Sequence, residues 1–205
     1  MTNKLKFESK DGSRRDFLTL LTASSITVGG IAMTWPFLNS LYTQDITVEN
    51  SFVDIDISSL QAGQQITFTW QNYPIFILNR TKTILEHLQD KTLRTRLRDP
   101  DSKELQQPAY TQNWHRSIEP EIIVMVGVCT HLGCIPTLKL RDTLDGYYNC
   151  ACHGSKFDLA GRVFQGMPAP YNLAIPPYRY LKPTVIRVGE NPKGHDFDIH
   201  SVQQI

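Results

Sequence analysis

The sequence has almost no charge bias. Its 21 Lys and Arg stand against 20 Asp and Glu, a formal charge of +1. There is no basic patch of the kind that tracks a phosphate backbone, which excludes nucleic acid as a partner. The first 16 residues hold five positive and three negative side chains, leaving a nearly neutral remainder of 16 positive and 17 negative. No internal repeat and no low-complexity tract is present, which excludes a repeat array. From Phe17 to Gln44 there is no charged residue at all, a run of 28 positions. A small-residue A-x-A cleavage site is missing after it; Trp35-Pro36-Phe37-Leu38 stands there instead, which argues for an uncleaved segment. Cysteine is scarce: there are four, all in two short pieces.

A run of 28 uncharged residues exceeds the roughly 20 needed to cross a bilayer core. Thr, Ser and Gly are scattered through it, as in membrane helices that pack on others. Pro36 near its far end is expected to kink or end the helix. Five Lys/Arg precede it (Lys4, Lys6, Lys10, Arg14, Arg15), so this end is expected to stay in the cytoplasm and the rest to lie outside the inner membrane of a bacterium, on the periplasmic side. Arg14-Arg15 followed by Phe17-Leu18 resembles a twin-arginine export signal. That route carries folded proteins, as a cofactor inserted in the cytoplasm requires. The expected layout is a signal region at 1–16, a transmembrane anchor at 17–41, a polar hinge or linker at 42–50 and a head at 51–205. The head has about 160 residues, the size of one domain.

The two cysteine pieces are C-T-H-L-G-C, Cys129 to Cys134, and C-A-C-H-G-S, Cys150 to Ser155. In each, a Cys and a His stand close enough to grip one metal: Cys129 with His131, and Cys150 with His153. Two thiolates and two imidazoles form a mixed ligand set suited to zinc or to an iron–sulfur centre. Finger-like Cys and His pairs, usual for structural zinc, are missing. Two plain disulfides would leave both histidines and the twin glycine-containing loops unexplained. His87, His115, His195 and His200 have no ligand-like spacing. A pattern in which two His replace two Cys on one iron is that of a Rieske [2Fe-2S] centre.

On these residues the chain resembles the Rieske proteins of quinol-oxidising cytochrome bc complexes, bacterial type. The resemblance implies one 2Fe-2S cluster with Cys129 and Cys150 on the inner iron and His131 and His153 on the outer one. It implies that Cys134 and Cys152 are not ligands but a disulfide tying the loops together. Gly133 and Gly154 are expected where the backbone passes close to the cluster or to another loop. Ser155 is expected to donate a hydrogen bond to the sulfurs, raising the potential. Two residues later the high-potential members carry a tyrosine; here it is Phe157, which implies a lower potential. Gly166-Met167-Pro168-Ala169-Pro170 matches the family's proline loop, stiffened by Pro168 and Pro170. Leu132 is the expected apolar tip docking on a cytochrome b subunit. His153 is the expected quinol-facing ligand, taking a proton as the cluster takes an electron; His131 is the second catalytic ligand. Ubiquinol is then the donor, a c-type cytochrome subunit the acceptor, and the complex is expected to be dimeric.

The rest of the head reads as strand. Phe52 to Ile57 alternates apolar and acidic, a half-buried strand. Gln65 to Trp70 and Ile75 to Leu78 follow, split by an expected turn at Asn72-Tyr73-Pro74. Thr83 to Leu88 has helical spacing, with Thr81 or Thr83 as cap. Residues 91–120 are charged and Pro-containing and read as an irregular lobe. Ile122 to Val128 is a buried strand delivering Cys129, and Tyr147-Tyr148 plays the same part for Cys150. Arg162 to Phe164 and Thr184 to Val188 complete the set. The expected fold is mainly β: a sandwich head with a cluster-binding subdomain at about 128–172, after one N-terminal transmembrane helix.

Rieske ferredoxins and ring-hydroxylating oxygenases lack the extra cysteines and the anchor. The small Rieske subunit of an arsenite-oxidase-like enzyme is the alternative reading, since it shares twin-arginine export. Pro74 to Thr81 and the sizeable lobe after it resemble the ubiquinol type.

Overall fold

The computed structural model describes residues 13–41, 52–140 and 146–205. The chain divides into two compact units, residues 1–49 and 50–205. In the first, a single helix α1 (Arg14–Leu41) covers the uncharged run. Asp16 closes its first turn by accepting from the Ser13 backbone N–H at 3.0 Å. Within residues 14–40 an 18-residue window has a mean hydropathy of 1.5 and none of it is buried, a length and composition suited to a membrane span. The helix neither ends nor breaks at Pro36; it continues to Leu41. The proposed hinge at 42–50 lies outside the described residues.

Among the described residues the second unit holds three antiparallel sheets of three strands: β1 (Val53–Asp56), β9 (Val185–Val188) and β8 (Tyr178–Lys182); β2 (Gln65–Trp70), β3 (Tyr73–Asn79) and β4 (Ile122–Val126); and β5 (Thr137–Lys139), β6 (Tyr147–Asn149) and β7 (Lys156–Phe157). Two short helices, α2 (Lys82–Leu88) and α3 (Lys91–Arg94), follow β3. Thr81 caps α2 through its side chain.

The turn between β2 and β3 is not at Asn72-Tyr73-Pro74. It consists of Gln71 and Asn72, both at positive φ (47° and 64°), with Trp70 facing Tyr73 in register. Two left-handed residues make the tight turn that matches strand twist. Pro74 is tolerated inside β3 because it stands at the end of the β3–β4 ladder, whose register begins at Ile75, and there it acts as an acceptor only, taking the Gly127 N–H on its carbonyl at 2.7 Å. Arg162 to Phe164 does not form a named strand either. It makes two isolated bridges, Phe157 with Val163 and Leu97 with Phe164. Strands β5, β7 and β8 were not anticipated; the first two are only three and two residues long.

What positions the loops is a layer between sheets. β4 is buried along its whole length and runs straight into the first cysteine loop. Phe76 of β3 lies across Gly127, where a Cβ would stand 2.4 Å from the ring, so only glycine fits. The other side of Phe76 stacks on Tyr148 of β6 at 5.6 Å between centroids. Tyr148 in turn donates to Gln65 Oε1 at 2.6 Å, and burial pushes its phenol well above the usual range. Two residues on from Tyr148 the second loop begins.

The irregular lobe is pinned by buried arginines. Arg80 donates to the His115 carbonyl and Ser117 Oγ, each at 2.7 Å. Arg116 reaches the carbonyls of Ala160 (2.9 Å) and Leu173 (2.8 Å). Arg162 pairs with buried Asp158 at 2.7 Å and donates to the Leu88 carbonyl. Each guanidinium donates to at least one main-chain carbonyl, which helps satisfy a backbone that forms no ladder.

His115 packs beside Arg80. Burial, and then the nearby Arg80 charge, hold its imidazole down to about 4, against a smaller opposing pull from Glu121. The unfolded chain takes up this proton near pH 6.5. The associated stability is therefore present above pH 6.5 and lost as pH falls toward about 4. Denaturant midpoints measured across this window should fall less steeply with falling pH in His115→Gln than in wild type; parallel curves would contradict the assignment.

Candidate metal centre

The two loops are built alike. In the first, the Cys129 N–H bonds the Cys134 carbonyl (2.7 Å) and the Gly133 N–H bonds the Cys129 carbonyl (3.0 Å). In the second, Cys150 bonds Ser155 (2.8 Å) and Gly154 bonds Cys150 (2.9 Å) in the same pattern. The fifth residue of each is a glycine in the left-handed region, Gly133 at φ +80° and Gly154 at φ +79°. A Cβ at either would meet nothing among the described atoms within 4 Å. The glycines thus serve the turn's left-handed dihedral.

The Cys134–Cys152 disulfide joins the two loops. Its sulfurs and that of Cys150 lie within 4.8 Å of one another. Sulfurs spent in a disulfide are not thiolate donors, so this trio is not the ligand set; it shows how near the tie runs to the site.

Cys129 and Cys150 are free and buried, 1% and 2% exposed. The His131 and His153 rings stand 4.6 Å apart and perpendicular. His131 is half-buried and His153 exposed. The structure thus pairs the two predicted thiols and, separately, the two predicted imidazoles. Burial pushes the Cys129 thiol up, while the His131 backbone N–H and the Ser155 hydroxyl reach its sulfur and pull the other way. A buried thiol pair of this kind needs a cation to hold it as thiolates. His131 Nδ1 is buried with no hydrogen-bond partner. An orphaned ring nitrogen beside buried sulfurs is what a metal ligand looks like without its metal. The residues therefore fit an iron–sulfur cluster.

Around them, Ser155 and Phe157 are fully buried, Pro168 is exposed, Pro170 half-buried and Leu132 69% exposed. Ser155 Oγ accepts the Ala169 N–H at 3.0 Å, which joins the proline loop to the second cysteine loop and leaves the Ser155 proton free to point at sulfur. Sequence reasoning missed Thr130, which donates to the Tyr171 carbonyl at 2.7 Å, and Arg98, which donates to the Met167 carbonyl at 2.8 Å. Thr130 sat inside the motif; Arg98 left no signal, since its partner is 69 residues away.

Residues 97–178 match the Rieske [2Fe-2S] domain, and residues 6–42 match a family described as "Ubiquitinol-cytochrome C reductase Fe-S subunit TAT signal". The chain is 37% identical over 182 residues to the ubiquinol-cytochrome c reductase iron-sulfur subunit of Rickettsia felis, covering 89% of this chain and 96% of that one. It belongs to that family. The counterpart of Bradyrhizobium diazoefficiens is 36% identical, covering 86% and 94% of the two chains. That of Allochromatium vinosum is 38% identical, covering 84% and 87%. The chain is a membrane-anchored electron-transfer subunit with a Rieske [2Fe-2S] cluster, part of a respiratory ubiquinol-cytochrome c reductase. The arsenite-oxidase-like alternative is not favoured by these relatives.

The disulfide closes a sequence separation of 18 residues. Replacing both partners, Cys134→Ala with Cys152→Ala, should lower the stability of the head by about 3 kcal/mol. Denaturant unfolding measures this, and an unchanged midpoint would contradict the role of the tie.

Proposed function

We propose that Cys129 and Cys150 hold the inner iron and His131 and His153 the outer one, and that His153 is the ligand that meets ubiquinol. The observation that carries this is the exposure gradient: the thiols are buried, His131 is half-buried, and His153 stands open beside an exposed Leu132. The cluster, when bound, supplies a one-electron redox centre. The chain's own residues do the rest. His153 presents its free ring nitrogen to the quinol hydroxyl and takes the proton there. Buried Cys129, Ser155 and Phe157 keep water from the inner side. Leu132 seats the tip on a cytochrome b subunit, and a c-type cytochrome subunit receives the electron. The head lies on the periplasmic side, anchored by residues 17–41 and linked by 42–50, within a dimeric complex. The cluster-binding subdomain spans about 128–172, in keeping with the separate β5–β6–β7 sheet.

The docking role is tested by Leu132→Ala in the assembled complex. Losing three apolar carbons at a buried contact costs about 2 kcal/mol, so ubiquinol–cytochrome c reductase activity should fall more than tenfold at limiting docking. The cluster's EPR spectrum and potential should not move. Full activity would mean that Leu132 only packs within its loop.

Phe157 is fully buried and faces Tyr148 across β6 and β7. It offers no hydroxyl to the cluster sulfurs, so the potential lies below that of a tyrosine-bearing relative. Voltammetry of Phe157→Tyr should show a rise; an unchanged value would sink this account of tuning.

A further inference from the structure

We propose that the segment after β9 is a strap on the first cysteine loop, and that Gln204 is a positioning residue for His131; this rests on His131 being an iron ligand, as argued above. The segment leaves β9 at Gly189, which is at φ +99°. Asn191 accepts from Tyr110 Oη at 3.2 Å and donates to the Phe197 carbonyl at 3.0 Å, folding the segment back along the lobe. Ile199 is buried at 3% exposure in a short 3-10 turn capped by Asp198.

Beyond this anchor the strap pairs with the lobe in an extended manner. The Gln203 N–H bonds the Leu105 carbonyl at 3.1 Å. Gln106, 1% exposed, grips the main chain of Gln204 on both sides. Its Oε1 accepts the Gln204 N–H at 3.3 Å and its Nε2 donates to the Gln204 carbonyl at 2.9 Å. The same Nε2 also donates to the Asn172 carbonyl at 2.9 Å, close after the proline loop. The backbone of Gln204 is thus held without help from its own side chain.

That side chain is free for another task, and it donates from Nε2 to the His131 carbonyl at 3.3 Å. This bond ties the main chain of His131, through its carbonyl, to the strap, and so fixes the backbone from which the imidazole is presented to the iron. Val202 and Ile205 pack against the core on either side of Gln204, and from between them the Gln204 side chain reaches a ligand loop 73 residues away in sequence.

The test uses the full chain with its cluster. Gln204→Met keeps length and apolar bulk but cannot donate. It should speed cluster loss to an iron(II) chelator roughly threefold to tenfold, the effect of one hydrogen bond on local opening. It should also broaden the EPR line shape of the reduced cluster. Thermal unfolding should not move, because Gln106 still holds the backbone. Gln204→Lys, which restores a donor, should return the rate and line shape toward wild type. Gln203→Ala, at an exposed neighbour, should match wild type. Wild-type rate and line shape in Gln204→Met would overturn the proposal. So would equal losses in Gln204→Met and Gln203→Ala with a lowered unfolding temperature, which would make the strap general packing. A wild-type chain without a Rieske spectrum would overturn the ligand assignment itself, and this proposal with it.

Discussion

Everything in the head answers to one constraint: four ligands from two loops, with strands β5 and β6 between them in the chain, must meet at one point. A six-residue loop cannot hold a buried thiol by itself. Each loop closes on its own first and sixth residues, and a left-handed glycine makes the closure possible. The disulfide then removes the freedom of one loop relative to the other. Behind them the Gly127–Phe76–Tyr148 layer fixes where each loop begins. In front, Ser155 and Ala169 fasten the proline loop over the second cysteine loop. The site is rigid because each of its connections is made by a different kind of interaction.

The same design explains why the irregular lobe is not filler. A sheet satisfies its own backbone, but the lobe and the segment after Phe157 do not. Three buried guanidiniums take up carbonyls instead, and Asp158 supplies the one buried ion pair among the described residues. Replacing one partner of such a pair strands the other, so these residues act as structural pins rather than as adjustable surface charge. The lobe is thereby stiff enough to serve as the bed on which the proline loop and the strap both rest.

Much of this was legible in the sequence because the chemistry is local. The ligand set, the uncharged helix and the strands with clean alternation or full burial all lie within short windows. The observed β2 has the bounds expected of it, and of the two expected caps, Thr81 and Thr83, it is Thr81 that caps α2. The turn at Gln71-Asn72 shares only Asn72 with the expected Asn72-Tyr73-Pro74, because Pro74 looks like a breaker and its tolerance depends on its place at the end of the β3–β4 ladder. Strands β5 and β7 were invisible because two or three residues carry no period. Arg98, Arg116 and Gln204 were silent because their carbonyl partners lie 44 to 73 residues away, which leaves no local mark in the sequence.

The central claim is that Cys129, Cys150, His131 and His153 share one [2Fe-2S] cluster with both histidines on the same iron. Pulsed EPR of the reduced full chain, grown with isotope-labelled histidine, tests it most directly. The account predicts a mean g value well below that of an all-cysteine cluster, with coupling from two histidine nitrogens. An all-cysteine mean g value with no histidine coupling would contradict it.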